Sequence, residues 1–329
     1  MRRLLSRLGF YLIALWASIT LNFIIPRLMP GDPAQAYLAK MQGQHITQQT
    51  LTALRVQFGL SNDPIWIQYG QYLVNLLHWN LGISLSNFPQ PVTEVIAQHI
   101  PWTVGLVGLS VIISFTFGSL LGMLVAWKRG SWLDSIVPPI LTFISAIPYF
   151  WLALAFVYVL SFMWSWFPMG GGYDELTYDI GWSSGFIISV ITHGILPAIT
   201  IVLGSLSSWV LVMRNSMVTT LSDDYVLMAQ AKGLPERRVM LNYAARNAIL
   251  PSITSFSISL GLIVGGSLLT EMVFNYPGIG FALYNAVLNL DYSLIEGCFL
   301  VIAITVLAAN LLSDIAYTFL DPRVRQGRG

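Results

Sequence analysis

Long stretches without a single charged residue alternate with short charged punctuation along this chain. Leu8 to Pro26 follows Arg2, Arg3 and Arg7, and Pro101 to Trp127 precedes Lys128 and Arg129. Ser135 to Phe167 follows Asp134, and Ile187 to Met213 ends at Arg214. Asn247 to Thr270 follows Arg246; Gly297 to Ser313 stops at Asp314, with apolar character continuing to Leu320. A bilayer crossing takes roughly 20 apolar residues. The pattern therefore predicts six transmembrane helices and an all-α, polytopic membrane fold. Met272 to Leu290 is also uncharged, but Asn275, Pro277, Gly278, Gly280, Asn285 and Asn289 would break a helix and leave polar groups in lipid. A re-entrant or interfacial segment is the better expectation there.

The charged residues between the runs orient the chain. With six crossings both termini share one side. That side collects Arg2, Arg3, Arg7, Lys128, Arg129, Arg214, Lys232, Arg237, Arg238, Arg246, Arg323, Arg325 and Arg328, which leaves only Arg27, Lys40 and Arg55 for the other. The excess of basic residues on one side predicts that both termini are cytoplasmic. The first run is longer than the apolar core of a secretory signal, and Pro30-Gly31-Asp32-Pro33 intervenes before Ala34-Gln35-Ala36, so cleavage there is not expected.

Three segments follow: residues 1–28 as cytoplasmic N-terminus and first span, 29–100 as an external loop, and 101–329 as a five-helix core with a cytoplasmic C-terminus. In the external loop, Pro64 to Leu77 carries apolar residues on a helical period, which predicts amphipathic helix lying on the spans or the membrane. The cytoplasmic loop, about 215–246, has a clear local grammar. Ser222 with Asp223 and Asp224 reads as a helix start, with a capping hydroxyl and acidic groups at the positive end of the dipole. Tyr225 to Lys232 reads as a short helix with Gly233 as its left-handed stop. Pro235 and Glu236 then fit the first turn of a second helix carrying Arg237, Arg238 and Arg246 toward Pro251.

Small residues recur every fourth position as Ser114, Gly118, Gly122 and Ala126, as Thr200, Gly204 and Ser208, and as Ser257, Gly261 and Gly265. Such stripes let helix backbones approach closely in lipid.

Composition narrows the chemistry. Of 329 residues, 55% are hydrophobic and 9% charged, with 16 Lys+Arg against 15 Asp+Glu. Mean hydropathy is +0.68. An ordinary soluble domain carries about 25% charged residues, and a nucleic-acid binder shows a basic excess; neither class fits. One cysteine, Cys298, excludes an intrachain disulfide framework and a multi-cysteine metal site. The lysines, Lys40, Lys128 and Lys232, are not followed by Ser or Thr, so the chain has no phosphate-binding loop ending Gly-Lys-Ser/Thr. His45, His78, His99 and His193 form no HExxH pair. Gly181-Trp182-Ser183-Ser184-Gly185 matches G-x-S-x-G, a motif that needs a strand–turn–helix elbow and triad partners to act as a hydrolase. An ion-coupled secondary transporter, the main alternative, needs acidic or histidine groups within its spans. The runs hold almost none: Glu271 and Asp314 lie at the ends.

Asp224-Tyr225-Val226-Leu227-Met228-Ala229-Gln230-Ala231-Lys232-Gly233-Leu234, continuing to Arg246-Asn247-Ala248-Ile249-Leu250-Pro251, resembles the EAA loop of ABC-importer permeases. The resemblance is closest to the dipeptide/oligopeptide/nickel permease family, first-subunit type. Further landmarks are Pro30-Gly31-Asp32-Pro33, Phe58-Gly59-Leu60, Asn80-Leu81-Gly82-Ile83-Ser84 and Pro91-Val92. After them come Glu271-Met272-Val273-Phe274, Pro277-Gly278-Ile279-Gly280, Asn310-Leu311-Leu312, Asp314, Tyr317 and Asp321-Pro322-Arg323. They run nearly end to end. Leu227 occupies the consensus Glu position, and Gly233 lies farther from Pro251 than in sugar-type permeases; both departures resemble the peptide group.

The resemblance implies a type I ABC importer-like fold in a bacterial or archaeal inner membrane. It implies a second homologous permease, two cytoplasmic ATPase subunits, an external substrate-binding protein, and ATP with Mg²⁺ on the partner subunits rather than on this chain. It implies a coupling helix formed by Asp224, Tyr225, Met228, Ala229, Ala231, Lys232, Gly233 and Leu234, with no catalytic or metal-binding residue in the chain. Peptides, nickel chelates, glutathione or oligosaccharides are the cargoes it allows.

Overall fold

In lipid a backbone must satisfy its own hydrogen bonds, and the apolar runs accordingly fold as helices in the computed structural model. The structure describes residues 2–31, 63–265 and 267–320. Ala34-Gln35-Ala36, Phe58-Gly59-Leu60 and Asp321-Pro322-Arg323 lie outside the described residues. Four described helices are long and apolar enough to cross a membrane. These are α1 (Arg2–Leu28), α3 (Val92–Trp127), α6 (Ser184–Thr220) and α13 (Tyr292–Leu320). Between α1 and α3 lies α2 (Ile65–Leu77). At 1.5 Å per residue, α3 and α6 are about 55 Å long, well beyond the ~30 Å hydrocarbon core, so each carries its neighbouring loop away from the membrane.

Two of the six expected crossings are interrupted. The run 135–167 folds as α4 (Trp132–Ala146) and α5 (Tyr149–Phe156), the latter continuing as a π-turn over Val157–Met163; the two arms bend by 87°. Pro148 is the cause. It pushes Ile147 into the extended region (φ −78°, ψ 124°), which ends the helix. The run 247–270 folds as α10 (Leu250–Leu262), a 3₁₀ turn Ile263–Gly265, and α11 (Leu268–Val273). Taken as one span, the bent pair brings the number of membrane-crossing candidates among the described residues to five rather than six. The doubtful segment 272–290 forms α12 (Ile279–Leu288), ten residues and too short to cross.

The chain divides into two compact units, drawn differently from the three expected segments. The first gathers residues 1–103, 264–268 and 277–311. Its core holds Val92, Val95 and Ile96 of α3, Ile279, Leu283 and Ala286 of α12, and Tyr292, Leu294, Ile295 and Cys298 of α13. Gly297 permits this packing, because a Cβ there would lie 2.5 Å from Val92 Cγ1. Asp291, 1% exposed, fixes the unit with hydrogen bonds. Its Oδ2 accepts from Ser84 Oγ (2.6 Å) and Ser86 N (2.8 Å), and its Oδ1 accepts from Leu294 N (3.1 Å) at the start of α13. Arg27 donates to Glu296 at 2.5 Å and to Phe23 O at 2.7 Å, with its guanidinium over the Phe23 ring. The expected amphipathic helix is α2, which reaches α1 through Tyr69: its hydroxyl is 2.8 Å from Thr20 Oγ1, and its ring packs edge-on against Phe23.

The second unit gathers residues 104–263, 269–276 and 312–329. Here the Ser114–Ala126 stripe meets α6. A Cβ on Gly118 would lie 2.5 Å from Trp209 Cβ, and one on Gly122 would lie 2.5 Å from Val210 O. Arg214 of α6 pairs with Asp134 of α4, Nη2 to Oδ1 at 2.6 Å. Glycine and a paired charge thus fix three helices against one another in this unit.

Candidate functional site

The segment after α6 folds into α7 (Asp224–Ala231), then α8 (Glu236–Arg238), a π-turn over Val239–Ala245, and α9 (Arg246–Ala248) leading into α10. Asp223 and Asp224 sit at the positive end of α7, and Lys232 sits at its C-cap, so side-chain charge opposes the helix dipole at both ends. Gly233 adopts φ +69° as expected. Gly233 N donates to Gln230 O (2.9 Å) and Leu234 N to Ala229 O (3.4 Å), the paired bonds of a Schellman cap. Leu234 closes the cap by packing on the core beneath. The start differs from expectation. Asp223 is the N-cap residue without a side-chain capping bond, and the Ser222 hydroxyl instead donates back to Thr219 O at 2.7 Å. Pro235 is likewise the N-cap of α8 rather than part of its first turn.

An eight-residue helix has two faces, and the structure separates them. Val226 and Ala229 are buried against Met213, Met217, Val239, Ala244, Ala245 and Ala248. The close approach that Ala229 permits is therefore to helices of this same chain, which corrects its expected place on the partner-facing side. Asp224, Tyr225, Met228, Ala231 and Lys232 are exposed. Leu227, whose identity marked only a departure from the consensus, joins them: Leu227 is 49% and Met228 59% exposed. Two large apolar side chains are thus left uncovered within this chain on a helix packed from behind, an exposed apolar patch of the kind that marks interaction surfaces.

Tyr225 turns toward the second half of the loop. Asn247 Nδ2 donates to its hydroxyl at 2.8 Å. Between them opens a cleft of about 560 Å³ lined by Tyr225, Arg238, Asn242, Tyr243, Arg246 and Asn247.

The G-x-S-x-G match has an ordinary role. Ser183 is the N-cap of α6 and accepts from Phe186 N at 3.3 Å, while His193 bonds Ser189 O at 2.8 Å through its Nδ1. Asp174 spends its carboxylate on the Thr177 hydroxyl (2.6 Å) and Leu176 N, which hold it below the usual carboxylate range. No strand–turn–helix elbow surrounds Ser183 among the described residues.

The architecture is that of a multi-span helical protein carrying a capped helix with an exposed apolar face on a long loop. Residues 118–326 match the family described as binding-protein-dependent transport system inner membrane component. The chain belongs to that family: it is a multi-pass membrane permease component. A Brucella suis biovar 1 (strain 1330) protein provisionally named a peptide permease is 37% identical over 325 residues, 99% of this chain and 98% of that one. The di/tripeptide transport system permease protein DppB of Pseudomonas aeruginosa (strain UCBPP-PA14) is 33% identical over 337 residues, covering 98% of each chain.

Proposed function

We propose that this chain is the permease subunit of an ATP-driven ABC importer that carries peptides delivered by an external binding protein. Relatives named for peptide transport, similar over nearly their whole length, support the cargo class. The chain pairs with a second permease of its own kind and with two cytoplasmic ATPase subunits, which hold ATP and Mg²⁺ and perform the hydrolysis. It crosses six times, through α1, α3, the bent pair α4–α5, α6, the interrupted segment 250–273, and α13. Both termini and the loop 215–246 are cytoplasmic, an orientation that the uneven division of basic residues supports. Residues 29–100 face outward.

The observation that carries the mechanism is α7: an exposed Tyr225, Leu227 and Met228 face backed by a buried Val226 and Ala229. Closure of the ATPases moves α7. Because Val226 and Ala229 share a buried core with Met213 and Met217, and the π-turn Val239–Ala245 packs on both helices, the force passes through that core to α6, a helix more than long enough to span the bilayer. Rigid-body rocking between two packings then alternates access. An ion-coupled carrier is disfavoured by the match to a binding-protein-dependent transport family and by relatives named as permeases of peptide transport systems.

The test is peptide uptake into proteoliposomes holding the full complex. Replacing Leu227 and Met228 by Asp is expected to abolish ATP-dependent uptake while the chain inserts normally. Uptake at the unaltered rate would refute the coupling assignment.

A further inference from the structure

The cleft beside α7 has a chemistry of its own. Arg238 and Arg246 line it from the two ends of the π-turn, with Asn242 and Tyr243 between them. Neither guanidinium has a hydrogen bond or ion pair among the described residues, and both side chains are exposed. Arg214 provides the contrast, since its charge is already taken by Asp134. The acids of the same loop, Asp223, Asp224 and Glu236, do not line the cleft. A π-turn is rare and is found often at functional sites. Here its exposed side carries Asn242 and its buried side carries Val239, Ala244 and Ala245, so the cleft wall is anchored from behind.

We infer that this cleft receives an acidic segment of the ATPase partner, with Arg238 and Arg246 binding its carboxylates as α7 docks. The inference rests on the coupling reading above and adds a charge-reading element to it. Three observations favour a protein carboxylate. Tyr225 belongs both to the cleft wall and to the exposed apolar face of α7, so one docking event covers both. An apolar anchor with a polar, charged rim is the ordinary anatomy of a protein interface. Arginine, rather than lysine, supplies the charge, and its planar fork matches a carboxylate in two parallel bonds. At about 560 Å³ the space suits a helix end or loop carrying Asp or Glu rather than one small anion. The asparagines and the Tyr225 hydroxyl, already joined to Asn247, offer further polar partners around the rim.

The experiment uses the whole complex, purified through a tag on this chain, and reads the ratio of retained ATPase to permease. Reading a ratio prevents lower expression from imitating lost affinity. Arg238→Glu with Arg246→Glu is expected to lower retention at least tenfold in low salt. Arg238→Lys with Arg246→Lys is expected to keep most of it. Retention by the unaltered complex should fall as chloride rises, and the reversed variant should lose that dependence, because exposed charges are screened by salt. Unchanged retention by the reversed variant overturns the inference. If the Leu227→Asp, Met228→Asp pair loses ATPase while the arginine variant does not, the inference fails and the coupling reading stands; if both keep it, both fail. Should reversal weaken binding only to anionic-lipid vesicles, the cleft reads headgroups and the inference is again overturned.

Discussion

Two regions of the molecule bury ten core side chains each, by opposite means. Around Asp291 eight of the ten are branched or aromatic, and only Ala286 and Cys298 are small. A buried carboxylate with three hydrogen bonds fastens the 84–86 segment to the start of α13. Around Ala229 five of the ten are alanines and three are methionines. No comparable buried acid ties α7 down among the described residues; Asp223, Asp224 and Glu236 are exposed. Buried polar groups are costly unless every bond is made, and once made they enforce one arrangement. Alanine and methionine set close contact with little commitment to one geometry. The difference teaches that the first region is fixed by buried hydrogen bonds, while the second is docked mainly by apolar contact.

Breaking the fixed region should have the largest effect. Asp291→Leu leaves the buried Ser84 hydroxyl and the half-buried Ser86 N–H without an acceptor, and it removes the capping bond to Leu294 N. The expected loss is about 4 kcal/mol, since each orphaned group costs roughly 1–3 kcal/mol. Thermal unfolding of the detergent-solubilised protein checks it. A midpoint unchanged by the substitution would mean that the carboxylate does not fasten the region.

The docked region should respond differently on its two sides. Ala229→Arg forces a long charged side chain into a site only 2% exposed, against Ala244, Ala245 and Ala248. A loss of about 3 kcal/mol is expected, from overpacking and an unpaired buried charge. The loop should become protease-sensitive, whereas the Leu227 and Met228 substitutions, on the exposed side, should leave it resistant. Limited proteolysis of the complex separates these outcomes. Equal resistance in both would erase the distinction between faces.

How much of this was legible in the sequence depended on how far apart the cause and its effect lie. The α7 helix, its Gly233 stop and the Ser114–Ala126 stripe are short-range patterns, and each appears where the sequence places it. Ser84 and Asp291 are 207 residues apart, and Arg27 and Glu296 are 269 apart, so neither pairing leaves a local trace. The inward turn of Ala229 was hidden for another reason. Eight residues make barely two turns, too few for periodicity to say which side faces the protein. The break at Pro148 was visible, because the residue before proline avoids the helical region; a scan for charge alone passes over it. The π-turn that shapes the arginine cleft has no known compositional signal here, since Val239–Ala245 is an ordinary mix of apolar residues with one asparagine and one tyrosine.

The smallest expected effect concerns two caps of the same kind. α7 ends on Gly233 at φ +69°, and α12 ends on Leu290 at φ +56°, with Asp291 N bonded back to Ala286 O at 2.9 Å. A left-handed leucine costs backbone energy that glycine avoids. The fixed region tolerates this because the Leu290 side chain packs on the core around Val92 and Ile295, and burial offsets the strain. Gly233 has nothing within 4 Å of where a Cβ would stand, so no such packing is on offer. Gly233→Ala should therefore cost only the backbone term, about 1 kcal/mol, with no steric part. Hydrogen exchange at Gln230 to Leu234 is the sensitive measure, and a roughly fivefold faster exchange confined to this cap is expected. Fraying that spread to Met213 and Met217 would show that the cap and α6 open together. The docked region would then be as firmly fixed as the one around Asp291.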